Sequence, residues 1–123
     1  MGTESIRDEG QTLSTPTGKV LGIVDTRAQL DELVPALATA GFDKNELLSG
    51  EEGVHLLERV QNFFFSDMEE RVLKHHIEEL KKGHMIILIK APSDRVNEAV
   101  SVASQHGARR LVHFGQLMVR VHT

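Results

Sequence analysis

Residues 19–49 read KVLGIVDTRAQLDELVPALATAGFDKNELLS, and residues 85–115 read MIILIKAPSDRVNEAVSVASQHGARRLVHFG. Laid over one another without a gap, the two stretches share punctuation more than identity. Ile23 meets Ile89, Glu32 meets Glu98, Val34 meets Val100 and Gly41 meets Gly107. Each copy has an apolar run, a segment of helical period, a glycine and a second short run. Self-similarity at a fixed offset marks one supersecondary unit used twice, and that repetition decides the fold.

In the first copy Val20–Val24 is a short apolar run of buried-strand length. Asp25 and Thr26 are good helix N-caps. Leu30, Leu33, Val34, Leu37 and Ala38 recur at the spacing of one helix face. Gly41 sits where a left-handed residue ends a helix. Pro35 inside that helix costs about 3 kcal/mol and predicts a kink. Glu46–Ser49 is the second strand. The second copy repeats the plan with Met85–Lys90 as strand and Pro92-Ser93-Asp94 as loop and cap. Val96, Ala99, Val100 and Ala103 form its helix face, and Leu111–Phe114 its closing strand. Leu117–Val121 alternates with period two, which predicts a further strand or an extension.

Between the copies, Ser49 with Glu52 and Ser66 with Glu69 match the S-x-x-E capping box. The stripe Val54-Leu57-Val60, continuing to Phe64, and the stripe of Met68, Val72, His76 (or Ile77) and Leu80 predict two helices, the second over about 67–82 and ending at Gly83. The expected architecture is an α+β, ferredoxin-like sandwich. Two βαβ-like halves, about 19–49 and 85–115, would carry two extra helices inserted between them. Residues 1–18 hold few large apolar side chains and read as a flexible arm; residues 19–123 read as a single domain.

Composition narrows the function. The 123 residues include no cysteine, which excludes disulfides, thiolate metal sites and cysteine nucleophiles. A formal net charge of −4 argues against a general grip on nucleic acid or anionic membrane. Ferredoxin-like RNA binders stack bases on strand aromatics, and Val20–Val24 and Met85–Ile89 carry none. The N-terminal stretch is acidic and lacks the apolar segment of a secretory signal. No run reaches the length of a membrane span. The expectation is a soluble, cytoplasmic protein.

No phosphate-cradling loop, nucleophile elbow or metal-ligand spacing occurs, so no catalytic residue, metal or cofactor is expected. The histidines are scattered; a metal site would need distant partners, such as His84 with His113. Plain surface or boundary imidazoles are the simpler reading. Thr26 and Arg27 in one helix-opening loop, and Ser93 and Arg95 in the other, are candidate anion ligands, because helix N-termini favour negative charge. Plain helix capping by Thr26 and Ser93 is the alternative. Phe63, Phe64 and Phe65 are consecutive and cannot all face one core from a helix. With Leu117, Val119 and Val121 on a strand that would form an edge, they make a candidate self-association surface; packing of the phenylalanines between the inserted helices is the alternative. The expected partner is a second copy, with a protein partner beyond it.

The segments VLGIVDT, LDELVPALATAGF and ELLSGEEG, followed by EELKKGHMIILIKAP and VNEAVSVASQHGA, resemble the heat-induced (general) stress protein domain family over about residues 19–115. The most specific pieces are Ala40-Gly41-Phe42, Glu52-Gly53, Leu80–His84 and His106-Gly107-Ala108. These are helix ends and strand starts. The resemblance implies a small stress-associated α/β protein and brings no enzyme signature with it.

Overall fold

The computed structural model describes residues 6–7, 10–11, 18–61, 67–114 and 119–121. In chain order the elements are β1 (Ile6–Arg7), β2 (Gly10–Gln11), β3 (Lys19–Val24), α1 (Arg27–Thr39), β4 (Asn45–Leu48), α2 (Gly50–Gln61), α3 (Asp67–Lys81), β5 (Met85–Lys90), α4 (Val96–Gln105), β6 (Arg109–Phe114) and β7 (Val119–Val121). A 3-10 turn, Ser93–Arg95, leads into α4. The repeat is therefore β3-α1-β4 and β5-α4-β6, with α2 and α3 inserted between the halves. β1 and β2 pair with each other.

The main sheet is five-stranded in the order β4-β5-β3-β6-β7, and every neighbouring pair is antiparallel. Its centre is the pair β3 and β5, in register from Lys19↔Lys90 to Val24↔Met85. Each half's second strand adds outside the other half's first strand, so the two halves are interleaved. Within the alternation seen in the sequence lies the short strand β7, which among the described residues pairs only with β6.

Period two divides the side chains of the sheet between two cores. Val20, Val24, Ile87, Ile89 and Leu111 face Leu30, Leu33 and Leu37 of α1 and Val96, Ala99 and Ala103 of α4. Leu21, Ile23, Ile86, Leu88, Val112 and Phe114 face Val54 and Leu57 of α2 and Leu73, Ile77 and Leu80 of α3. The central strands are covered on both faces, which explains why VLGIV and MIILI are unbroken apolar runs. Leu57 and Leu73 are fully buried; truncating either to alanine costs about 3 kcal/mol in cores of this kind.

Local chemistry sets the helix ends. Thr26 Oγ1 accepts from the Gln29 backbone N–H at 3.1 Å, and Gln29 Oε1 accepts from the Thr26 N–H at 3.2 Å, a reciprocal capping box. α1 continues through Pro35. Gly41 and Gly107 close α1 and α4 at φ +97° and +88°, where a side chain is disfavoured. α4 has no corresponding side-chain cap; Pro92 and the 3-10 turn start it instead.

Candidate functional site: an ion cluster at one end of the sheet

The antiparallel centre brings the end of β3, the start of β5 and the start of β6 to one edge of the domain. Asp25 follows β3 directly, His84 precedes β5, and Arg109 opens β6. Glu79, near the end of α3, reaches the same place.

Arg109 arrives there because β6 carries an extra residue. Leu21 pairs with Val112 and Ile23 with Arg109, so Gly22 alone stands opposite Leu111 and Arg110. Arg110 takes φ +51°, the left-handed region. Strict alternation would turn Arg109 to the same face as Leu111, toward α1 and α4. The bulge turns it to the α3 face, the kind of re-aiming for which bulges are known. Gly22 permits the close approach, since a Cβ there would lie 2.7 Å from Leu111 Cδ2.

Arg109 grips both carboxylates. Its Nη2 lies 2.6 Å from Asp25 Oδ1 and 2.7 Å from Glu79 Oε1, and its Nε lies 3.0 Å from Asp25 Oδ2. His84 Nδ1 is 2.7 Å from Glu79 Oε1, and its Nε2 is 3.6 Å from Asp25. A carboxylate only accepts, so Nδ1 is the protonated nitrogen in the bond to Glu79. The 3.3 Å approach of Arg109 Nη2 to that Nδ1 is then a meeting of two donors. Lys82 Nζ, 3.2 Å from Glu79 Oε2, completes the cluster.

Burial would raise the Glu79 carboxyl, but hydrogen bonds from Arg109, His84 and Lys82 outweigh it and hold the group at about 2. The Arg109 hydrogen bond holds Asp25 below the usual carboxylate range. Asp25 and Glu79 in turn raise Arg109.

Asp25, Glu79 and His84 each offer one metal-ligand atom, all within 4.8 Å of one another. The guanidinium already takes the cation's place between the two carboxylates. A divalent ion would have to displace it and leave Arg109 beside a second positive charge. Nor does a carboxyl held at about 2 exchange protons near neutrality, which removes Glu79 as a general acid or base. The arrangement acts as a clamp that ties three strand ends to α3.

The residues singled out in the sequence fall elsewhere. Thr26 caps α1. Arg27 is exposed and lies 3.5 Å from Asp31 on its own helix. Ser93 is exposed in the 3-10 turn. Arg95 stacks over Phe42 at 4.3 Å, donates to the Ala40 carbonyl at 2.6 Å and pairs with Glu98. The two helix-opening loops do not meet. Thr26 and Arg27 lie at the Val24↔Met85 end of the central pair, and Ser93 and Arg95 beyond Lys90 at the Lys19 end. His84 and His113 are likewise parted, because His113 pairs with Val20 on the far side of β3 from β5. Val119 and Val121 lie in β7, whereas Phe63, Phe64, Phe65 and Leu117 lie outside the described residues.

Sequence reasoning missed the cluster because it assigned Asp25 to capping and gave Arg109 no role. A usable signal was present. Drawing the two halves as an antiparallel pair places Asp25, His84 and Arg109 at one end before any side chain is built. Comparison with protein-family models, with curated proteins and with solved structures finds no match to this chain.

Proposed function

We propose that this chain is a non-enzymatic, stress-associated module of ferredoxin-like type that works in the cytoplasm by pairing, first with a second copy of itself and then with a partner protein. The ferredoxin-like reading is supported by the order β4-β5-β3-β6 and by α1 and α4 sharing one core. The stress association rests on the sequence resemblance. The absence of enzymatic chemistry is supported by the polar cluster, whose charges neutralise one another and whose Glu79 does not titrate near neutrality. No helix among the described residues is long and apolar enough to cross a membrane.

One observation carries the pairing: among the described residues β7 has β6 as its only strand neighbour. An edge strand leaves a row of backbone donors and acceptors open, which a second strand satisfies by β-addition. Backbone N–H groups alternate sides along a strand, so of Val119 and Arg120 one points its N–H outward. Val119→Pro and Arg120→Pro therefore separate the two sides. Light scattering of the full chain is expected to give a concentration-dependent dimer. One proline variant is expected to become monomeric with unchanged far-UV circular dichroism. A wild type that stays monomeric at all concentrations, or two variants that both remain dimers, would end this reading.

A further inference from the structure

α3 buries a histidine in its apolar stripe. Leu73, His76, Ile77 and Leu80 form the face that packs against the sheet, and His76 is 1% exposed. Its Nδ1 lies 2.9 Å from the Val72 carbonyl. That oxygen only accepts, so Nδ1 carries the proton and Nε2 is the bare nitrogen. Nε2 is buried and makes no hydrogen bond. A buried polar atom without a partner is uncommon in folded proteins and calls for a reason.

The surroundings disfavour a charge here. Burial is the main effect that lowers the basicity of His76. The Val72 and Arg110 backbones oppose it, while the electrostatic effects of His75 on the same helix and Arg110 on β6 add to it. Among the described residues, these two side chains act on the ring electrostatically. Arg110 is also the left-handed residue of the β6 bulge, a conformation that holds only while its surroundings enforce it. An imidazole that resists protonation therefore lies against the strained point of the sheet, on the helix that carries Glu79 to Arg109.

We propose that His76 is an acid-operated latch: protonation of its ring, buried in the apolar layer between α3 and the sheet, opens the α2–α3 layer. In the unfolded or opened chain the ring titrates near 6.5, whereas in the closed chain it stays neutral to lower pH. The open form then binds more protons below about pH 6.5, so the closed form loses stability as pH falls through that region and keeps it fully above. Opening uncovers the Leu21, Ile23, Leu88 and Phe114 face of the sheet.

The test follows amide-exchange protection factors, corrected for intrinsic rates, in the full chain at pH 7.5 and pH 5.5. Amides of 70–81 in α3 are expected to lose up to about tenfold protection at the lower pH, while those of β3 and β5 keep theirs. In His76→Leu that difference is expected to vanish, and in the control His84→Gln it is expected to persist. Equal loss in α3 and the central strands, no loss in either, or an unaltered difference in His76→Leu would overturn the proposal. If His76→Leu does not fold, the contrast between α3 and the central strands in the wild type decides the question alone.

Discussion

The two halves of the repeat make one contact twice with different atoms. Gln29 overlays Arg95, and Gly41 overlays Gly107. In the structure Gln29 lies against Gly107, where a Cβ would come within 2.7 Å of its Nε2, and Arg95 lies against Gly41, where a Cβ would come within 3.1 Å of its Nη1. Each half thus lends a long polar side chain to the helix end of the other. At the strand ends this correspondence fails. Asp25 overlays the buried Ala91, and Arg109 overlays the exposed Asp43. Whatever is needed to build the interleaved sheet is duplicated, and the ion clamp, which is not needed for that, is present at one end alone. The duplicated features carry the fold, and the unduplicated ones are where this chain differs from a symmetric scaffold.

The largest test of that contrast is Arg109→Met. It leaves Asp25 and Glu79 facing each other with only His84 and Lys82 to balance them. Breaking a fully buried ion pair costs 3–5 kcal/mol, but Arg109 and Asp25 are each more than a third exposed, so about 2 kcal/mol is expected here. Thermal unfolding should shift down by roughly 8 °C for a domain of this size. At the other end, Arg95→Met gives up one ring contact and one carbonyl hydrogen bond and should cost about 1 kcal/mol. Equal losses in the two variants would remove the asymmetry.

Acid sharpens the same comparison. Glu79 is depressed from 4.5 to about 2, so its contribution is complete above pH 4.5 and is lost as pH falls toward 2. Arg109→Met lacks most of that contribution at every pH. The gap in melting temperature between wild type and Arg109→Met should therefore narrow between pH 4.5 and pH 2. A constant gap would show that Arg109 stabilises by packing. This window lies below the one assigned to His76, so the two effects separate along the pH axis.

The duplicated contact predicts near-equal effects. Gly41→Ala and Gly107→Ala each force a Cβ onto a left-handed residue, for about 1 kcal/mol. The neighbour that must move is a flexible side chain in both cases, so the two losses should agree within about 0.5 kcal/mol. Chemical denaturation of the two variants measures the agreement. A large excess at Gly41 would mean that Arg95 over Phe42 is the stiffer of the two neighbours.

The sequence disclosed the part of the molecule that repeats. Apolar periodicity placed Met85–Lys90 at its observed limits and the long inserted helix within one residue of its end. Both signals are local, since they depend on spacing along a few turns or one strand. The clamp is not local: Asp25 and Arg109 are 84 positions apart and meet only through strand order. Its decisive step, the bulge at Arg110, has no glycine or proline to announce it. The φ +51° falls on an arginine, and the glycine that makes room is on the facing strand. His76 shows the same limit. Spacing offered His76 or Ile77 for one place in the apolar stripe and the structure buries both, but the loss of a partner for Nε2 depends on which residues of β6 lie beneath it.

The smallest expected effect concerns Arg27. Its partner Asp31 is four residues on, the two groups are 3.5 Å apart, and both side chains are about two-thirds exposed. Pairs of this kind contribute about 0.3 kcal/mol on a helix surface and are screened by salt. Arg27→Ala should leave the melting temperature within about 1 °C of wild type. It should also leave unchanged any stabilisation by phosphate or nucleotide, because the second helix-opening loop lies at the far end of β3 and β5 and Arg95 is already committed to Ala40, Phe42 and Glu98. A phosphate-dependent rise in melting temperature that disappears in Arg27→Ala would reverse this conclusion. It would mean that the α1 N-terminus binds an anion by itself, with Thr26 and the first-turn amides as the remaining donors, and the module would then be a sensor.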